Sequence, residues 1–298
     1  MKTQVPESLK SDLPSTTWGK ILTATPVGMA VIATMLAGLA SSEMTEAGYT
    51  RSLAAQQQAK AGDQWSFFQA KRLRSAVQHS TLDVLENTAE VHPLDLDSWG
   101  EGTWRSNPAV KAALQKGEVP IVDRGRPMDQ QVERALSAVT ALATETELSA
   151  AVAGVDAGLV DQAVADARAR ATALEAVTQP VNEALDAMER SLATAPPGRR
   201  RDFTAARLRY TARRYDAEAH LNQSVASLVE LQVHKSNQLA ERHRRRSQRF
   251  FLGMLAAQAA VIISTFSLAA RKHSLLWSVA AVAGLTATGF AVWVYFYV

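Results

Sequence analysis

Cysteine is absent from the 298 residues of this chain, and aromatic residues make up only 6% of it. Without cysteine the protein has no disulfide, no thiolate metal ligand and no cysteine nucleophile. The phosphate-binding patterns GxxxxGK[ST] and GxGxxG and the hydrolase pattern GxSxG are also absent. None of the six histidines has a second histidine at the HxxxH or HExxH spacing of zinc sites. The sequence therefore predicts no catalysis, no metal site and no cofactor.

Charge is missing from three long apolar runs, at residues 21–40, 250–270 and 274–298. A helix of about twenty residues, at roughly 1.5 Å per residue, crosses a hydrocarbon core of about 30 Å. Trp277 and Trp293 lie near the two ends of the last run, where interfacial aromatic residues are common. We therefore predict transmembrane helices at 21–40, 250–270 and 275–298. The first is expected to be an uncleaved anchor rather than a signal peptide, because a polar tail, residues 1–20, precedes it.

Arginine is concentrated in the stretch ERHRRRSQR, immediately before the second apolar run. The arginines concerned are Arg242, Arg244, Arg245, Arg246 and Arg249. Basic residues at the end of a span favour the cytoplasmic side and bind anionic lipid headgroups. This predicts a multi-pass membrane protein with residues 41–249 in the cytoplasm, although lysines before the first span favour the opposite orientation. Nucleic-acid binding is disfavoured, because no recognition fold accompanies the arginines.

The region between the first two spans is predicted to be helical, with a loop at 91–127. The first span is expected to continue as a juxtamembrane arm, residues 41–90, ending at about Ala89. An alanine-rich insertion, 128–200, would hold two helices that start near Asp129 and Asp156, and Pro180 would kink or divide the second. The stretch PPGRRR marks a break before a returning arm, 201–249. Because alanine buries little area, the inserted helices are expected to rely on a partner or an oligomer.

The returning arm contains no glycine or proline and leads directly into the second span. Its apolar residues recur at spacings of three and four, as an antiparallel helix or a coiled coil requires. The predicted fold class is accordingly all-α: three transmembrane helices, with a long cytoplasmic helical hairpin or coiled-coil region between the first and second. The two arms would be each other's partners.

Aromatic and basic residues are unusually dense in GDQWSFFQAKRLR, residues 62–74, which we call the clamp segment. On a helix its aromatic faces could pack on the returning arm while its cationic side chains reach acids there, with Glu218 and Glu230 as candidates. Gln64 and Gln69 could hydrogen-bond across the seam. The alternative is a cluster that binds a small anionic ligand. Either role would use Trp65, Phe68, Gln69, Lys71, Arg72 and Arg74.

Gln258 is the most unusual residue of the predicted spans, because a buried amide in a membrane needs a hydrogen-bond partner. With Ser264 and Thr265 it could form an interhelical contact or line a polar path. Small residues also recur at a spacing of four, which permits close helix approach within or between subunits. They are Ala30, Thr34 and Gly38 in the first span and Ala280, Gly284 and Thr288 in the third.

The segments AAQQQAKAGDQWSFFQAKRLR and ERHRRRSQRFFLGMLAAQAAVIISTFSLAARKHSLLW resemble an uncharacterised family of bacterial membrane proteins, catalogued as a domain of unknown function. The resemblance covers approximately residues 35–85 and 221–298. It implies an inner-membrane protein with one span, a cytoplasmic helical region and two further spans, and it brings no activity, cofactor or catalytic residue. Trp65, Gln69, Lys71, His243 and Gln258 are motif positions within it.

The function that we expect is that of a homo-oligomeric structural or accessory scaffold without catalysis. Its partners would be further copies of itself, anionic lipids and a protein of a membrane complex. One alternative is an oligomeric channel or mechanically responsive pore, lined by Gln258, Ser264 and Thr265 and gated by the arms. Another is a signalling relay that holds a small anionic ligand at the clamp segment.

Overall fold

The computed structural model describes residues 17–99, 107–123, 125–141, 143–269 and 275–297. Within these ranges the chain forms α-helices and short 3-10 turns, and no strand occurs. The helices are α1 (Thr17–Thr88), α2 (Pro108–Lys116), α3 (Gln130–Thr140), α4 (Glu145–Ala153), α5 (Ala157–Ser191), α6 (Pro197–Ala269) and α7 (Leu275–Tyr297). The all-α prediction is therefore confirmed for this part of the chain. Most of the predicted tail, Trp104 and the turn at 271–274 lie outside the described residues.

The chain divides into two compact units. The first unit comprises Met1–Leu53 and Ser236–Val298, and the second comprises Ala54–Lys235. The helices α1 and α6 contribute residues to both units. The first unit is completed by α7, and the second by α2 to α5.

Two of the described helices, α1 and α6, are long and apolar enough to cross a membrane. The pair α4 and α5, bent at 94°, meets the same criterion only when it is counted as one span. The apolar stretch Ser278–Phe290 of α7 is shorter. Two to three spans are thus possible by length and composition, compared with the three predicted from the sequence.

The first unit exposes many of its large apolar side chains and buries mainly small ones, although Leu36 and Phe250 are also buried. Leu252 and Leu285 are 59% and 72% exposed, whereas Ala257 and Ala287 are almost completely buried. A water-soluble helix bundle normally buries the large residues. The reversed arrangement is the one expected of helices that face lipid and pack on one another through small residues.

Alanine recurs at every seventh position along the buried face of α1. Ala33, Ala40, Ala47, Ala54 and Ala61 are all buried, although most other residues around them are exposed. Helix α6 has the same seven-residue repeat. Its buried members are Ala205, Ala212, Ala219, Ala226, Val233, Ala240 and Ser247. A strict seven-residue repeat keeps one narrow face towards a partner helix.

In each unit a serine shows how closely the backbones of α1 and α6 approach. In the first unit the Ser247 hydroxyl donates to the carbonyl oxygen of Ala40 at 2.7 Å. In the second unit the Ser75 hydroxyl donates to the carbonyl oxygen of Ala212 at 2.9 Å. A side chain as short as serine reaches the backbone of a neighbouring helix only where small residues separate the two helices. Alanine at the repeat positions therefore sets a close helix spacing.

The alanine-rich segment packs on the chain's own α6 in the second unit. Val132 of α3, Val152 of α4 and Val160 of α5 form one buried cluster with Leu228 and Leu231 of α6. The chain's own α6 thus supplies a packing surface for these helices, and the expected partner or oligomer stays a prediction. The valines among the alanines supply the area that the alanines lack.

A second cluster surrounds Tyr210 of α6, whose side chain is completely buried. Trp99 lies next to Phe203 here, with ring centroids 5.4 Å apart. The Tyr210 hydroxyl is buried and makes no hydrogen bond to any described residue. Burial raises the pKa of Tyr210 to about 12.

Several predicted boundaries differ from the structure, and local capping explains two of them. The predicted loop 91–127 contains α2, which begins after the N-cap Asn107 and ends at Gly117 with φ 67°. The helix predicted over 128–154 is two helices, because Thr144 and Glu147 form a capping box that starts α4. Hydrogen bonds from Thr144 lower the pKa of Glu147.

Other helix ends lie close to their predicted positions. Helix α1 ends at Thr88, one residue before the predicted end, and Asp129 and Asp156 are the N-caps of α3 and α5. Pro180 does not divide α5, which continues to Ser191. Helix α6 begins at Pro197 rather than at residue 201, because proline suits the first turn of a helix, where its missing N–H is not needed.

Substituting a repeat alanine should separate the helices. We expect Ala61→Leu, at a fully buried position, to lower the free energy of unfolding by about 1–3 kcal/mol through overpacking. Ala59→Leu, two residues earlier at an exposed position, should change it by less than about 0.5 kcal/mol. Thermal unfolding of the full chain in detergent, followed by circular dichroism, compares the two. Equal effects would contradict a close α1–α6 contact at Ala61.

Removal of the Tyr210 hydroxyl should alter the alkaline stability of the protein. An unfolded tyrosine ionises near pH 10, whereas folded Tyr210 stays protonated to about pH 12, so rising pH increasingly favours the unfolded state over that interval. We expect Tyr210→Phe to be at least as stable as the wild type at pH 7 and to lose less stability between pH 10 and 12. Unfolding midpoints measured across this pH range test it. Parallel curves for both proteins would show that the Tyr210 hydroxyl ionises equally easily in the folded and the unfolded chain, and would contradict its burial.

Candidate functional site

The clamp segment lies on α1 of the second unit, against α6. The Trp65 indole Nε1 donates to Glu230 Oε1 at 2.7 Å. Trp65 also meets Phe68 edge to face, with ring centroids 5.5 Å apart and an interplanar angle of 82°. Both aromatic side chains are half-buried.

Two of the basic side chains of the clamp segment contact acids of α6. Lys71 Nζ binds Glu218 Oε2, and Arg72 binds Asp216 Oδ1. The Glu218 side chain is only 13% exposed, and its second oxygen, Oε1, lies 3.4 Å from Arg214 Nε of the same helix. Both cations stabilise a carboxylate that is so enclosed. Removing one partner leaves an enclosed charge without compensation and lowers the free energy of unfolding.

Tyr215 of α6 forms the centre of a cationic cluster. The Lys71 Nζ, the Arg74 guanidinium and the Arg214 guanidinium lie 5.2, 5.8 and 4.9 Å from its ring centroid. Cations at such distances are attracted to the negative face of the ring. Arg214 also donates from Nη1 to Asn182 Oδ1 at 2.7 Å, which joins α5 to the cluster.

The contacts of the clamp segment run antiparallel along the second unit. Residues 65, 71 and 75 of α1 meet residues 230, 218 and 212 of α6, so rising numbers on one helix match falling numbers on the other. Glu218 and Glu230, the acids suggested by the sequence, both take part, although Glu230 accepts from an indole rather than from a cation. The arrangement can fix the register of two helices.

Three expectations about the clamp segment differ from the structure. Phe67 is 54% exposed and faces away from α6. Gln69 is exposed and Gln64 half-buried, and neither amide hydrogen-bonds to a described residue. Trp65, Lys71 and Ser75 make the cross-helix bonds instead, because they lie on the repeat face or at its margin and Gln69 does not.

The arginines before the second candidate span divide into two groups in the first unit. Arg246 Nη1 lies 3.6 Å from Glu43 Oε1 of α1, and Arg249 lies over the ring of Trp293 of α7 at 5.3 Å. These two join helices to each other. Arg242, Arg244 and Arg245 are exposed, so they remain the side chains able to reach lipid headgroups.

Glu43 also contacts His243, whose Nδ1 lies 2.7 Å from the second carboxylate oxygen. His243 was expected only as a motif position of the family resemblance, without a connection to Glu43. The seven-residue spacing could have indicated this contact. Glu43 lies seven residues from both Leu36 and Thr50, and these two residues are buried on the same face of α1. The repeat would also have indicated Ser75 as a contact residue.

The three polar residues of the α6 span do not share one environment. Gln258 and Thr265 are exposed on the same face, whereas Ser264 is buried. The Ser264 and Thr265 hydroxyls both donate to the carbonyl oxygen of Val261, at 2.9 and 2.7 Å. Gln258 makes no hydrogen bond to a described residue. No group of three or more histidine, aspartate or glutamate residues within the described ranges is placed to hold a metal ion.

Residues 22–116 match a family described as a domain of unknown function, DUF4337. The matched part begins within the first apolar run, includes the clamp segment and ends with the last residue of α2. It agrees with the resemblance to an uncharacterised domain family over residues 35–85, and the C-terminal half of that resemblance stays a prediction. No curated protein matches the chain. No solved structure matches it either.

Glu218 should contribute more to stability than Asp216, which lies one half-turn earlier on the same helix. We expect Glu218→Gln to lower the free energy of unfolding by about 1–3 kcal/mol, because two cations lose an enclosed partner. Asp216→Asn should cost less than about 1 kcal/mol, because Asp216 and Arg72 are 39% and 53% exposed. Chemical unfolding of the full chain measures both. A larger effect at Asp216 would rule out the enclosed pair as the main contact.

Proposed function

We propose that this protein is a non-catalytic membrane scaffold that associates with further copies of itself. The observation behind the proposal is the environment of Gln258. This amide is exposed on α6 within the apolar run, and the exposed residues beside it on the same face are Leu255 and Ile262. An amide in contact with hydrocarbon is unfavourable, so a neighbouring copy that accepts and donates hydrogen bonds stabilises it.

The first candidate span offers a second surface for association. Thr34 and Gly38 are exposed on the same face as Val27 and Val31, and a side chain built at Gly38 would meet no atom within 4 Å. The corresponding residues of α7 are used differently, because Ala280 and Gly284 are buried in the first unit. The small-residue stripe of α1 is therefore free for another copy of the chain.

The contacts at the clamp segment support a structural role rather than ligand binding. Lys71 and Arg72 are engaged with carboxylates of α6. An anionic ligand would have to displace these acids. We propose that the clamp segment fixes the register of α1 and α6, so that the two arms form a helical hairpin.

The proposed location is the cytoplasmic membrane of a bacterium, with residues 41–249 in the cytoplasm. The exposed Arg242, Arg244 and Arg245 support this orientation, since arginine at the end of a span favours the cytoplasmic side. Anionic lipids and a protein of a membrane complex are the other proposed partners.

A channel is the second candidate, and Gln258 with Thr265 is the observation that favours it. The face that carries them is otherwise apolar, and Ser264 is turned away from it. A packed contact between copies would bury the apolar residues of this face as well as Gln258 and Thr265. A polar path would make use of these two residues alone. Conductance in reconstituted bilayers under tension or voltage would support a channel instead. The signalling relay has less support, because Lys71 and Arg72 are paired with carboxylates and Arg74 lies over the Tyr215 ring.

Replacing Gln258 should weaken self-association. We expect wild-type protein in native membrane discs to have the mass of an oligomer, measured by native mass spectrometry. Gln258→Leu should weaken the association by about 3- to 30-fold, which corresponds to roughly 0.6–2 kcal/mol for an interhelical hydrogen bond. Gln258→Asn, which retains the amide, should preserve it in part.

Thr286→Val is the matched control, because the exposed Thr286 hydroxyl donates within its own helix to Val282 and its loss removes no contact between copies. A wild-type protein that is a monodisperse monomer in the discs would refute the proposal. An oligomer unaffected by Gln258→Leu would refute Gln258 as its contact.

A further inference from the structure

We propose that the first unit binds one anionic phospholipid of the surrounding bilayer in a trough between α1 and α6. The trough has an apolar part and a polar part that share the side chains of Met44 and Arg244. The inference rests on the proposed membrane insertion and is independent of self-association. It assigns a defined lipid site where arginine content alone predicts only diffuse attraction to headgroups.

The apolar part of the trough is suited to an acyl chain. It has a volume of about 810 Å³, and Ala37 and Ala40 of α1 lie opposite Phe251 and Leu252 of α6. A volume of about 300–1,000 Å³ is typical of sites that hold small organic ligands. The part is open and lies beside the apolar run of α6, so a chain enters it directly from the hydrocarbon core.

The polar part continues along the same side of the helix pair, with a volume of about 590 Å³. Ala47 and Gly48 of α1 and Ala240 of α6 are too small to fill it, and two arginines border it, Arg51 and Arg244. A side chain built at Gly48 would meet no atom within 4 Å. The space beside Gly48 is therefore open and available to a headgroup.

The arginines match the charge and the depth of a lipid phosphate. Arg51 is exposed and forms no ion pair with a described residue. Arg244 Nη1 lies 3.8 Å from Glu241 Oε2, but Arg245 Nε lies closer to the same carboxylate, at 3.0 Å from Oε1. Arg244 is six residues before Phe250, or about 9 Å along the helix, which places it among the headgroups when Phe250 begins the span.

Glu241 also borders the polar part and reduces its positive charge. With Arg51 and Arg244 present, one net positive charge remains, which suits a phosphodiester with a neutral or hydroxylated headgroup. Arginine binds phosphate oxygens with paired N–H donors, so the geometry favours a single phosphate at Arg244. Arg51 is then placed to contact the distal part of the headgroup.

The test measures lipid binding to the full-length protein by native mass spectrometry in a mild detergent. Phosphatidylglycerol and phosphatidylcholine are titrated separately, and the fraction carrying one lipid is recorded. We expect saturable binding of one phosphatidylglycerol per chain and at least about tenfold weaker binding of phosphatidylcholine. Arg244→Gln and Gly48→Leu should each weaken phosphatidylglycerol binding by about tenfold, the first by removing the charge and the second by filling the trough.

Two control variants separate the site from general effects. Arg242→Gln removes the same charge two residues away, outside the trough, and should leave binding within about twofold of the wild type. Gly62→Leu places the same side chain at another open glycine of α1 and should also leave binding unchanged. Helical content by circular dichroism identifies a variant that has not folded, and Arg51→Gln then replaces that variant in the comparison.

Equal losses in Arg244→Gln and Arg242→Gln would overturn the site and leave only diffuse electrostatic attraction. Equal binding of the two lipids would overturn the phosphate contact. Inorganic phosphate that displaces the lipid at millimolar concentration would show that the apolar part contributes nothing. The outcome is separate from the self-association test, because Gln258→Leu lies outside the trough and should bind phosphatidylglycerol as the wild type does.

Discussion

The close approach of α1 and α6 is the constraint on which the rest of the structure depends. Helix α1 presents alanine at every seventh position from Ala33 to Ala61 and a serine at Ser75, and the series of α6 is alanine except at Val233 and Ser247. The two backbones therefore come near enough for a serine hydroxyl to reach the opposite carbonyl oxygen in each unit. Such a contact needs little side-chain volume and tolerates no increase in it. It also buries little apolar area, because each alanine contributes only a methyl group.

Other interactions therefore have to hold the helices in register. In the second unit they are the Trp65–Glu230 hydrogen bond, the Lys71–Glu218 ion pair and the packing of α3 to α5 on Leu228 and Leu231. In the first unit, Glu43 contacts both His243 and Arg246. Small residues at the seam also leave space beside it, which is why open troughs line the helix pair where no third helix covers it. The proposed lipid site follows from the same residues that permit the close approach.

Much of this arrangement could be predicted from the sequence, because it depends on local signals. Runs without charge indicated the candidate spans, and Asp129 and Asp156 marked helix starts, since a carboxylate at an N-cap accepts from the backbone N–H groups of the first turn. The start of α4 was missed although Thr144 and Glu147 have the spacing of a capping box. The helix α2 was missed because its proline and its terminal glycine were interpreted as loop residues rather than as the two ends of a helix.

The seam itself was harder to predict, because its signal is made by the smallest side chains. The large apolar residues at coiled-coil spacing on the returning arm include Val225, Leu228 and Leu231, and these pack mainly on the inserted helices. The alanine repeat that faces α1 was overlooked in a chain where alanine is common everywhere. The repeat differs from its surroundings only in that the alanine at every seventh residue is buried. Burial is a property of the folded chain and cannot be read from the sequence.

The polar residues of the candidate spans illustrate how side-chain chemistry decides which of them requires a partner. A hydroxyl can donate to a carbonyl of its own helix one turn earlier, and Thr34, Thr265 and Thr286 all do so. Such a residue tolerates contact with lipid. Gln258 has two donors and an acceptor on a longer side chain, and its own helix satisfies none of them among the described residues. The amide is therefore the group in this candidate span on which the proposed self-association rests.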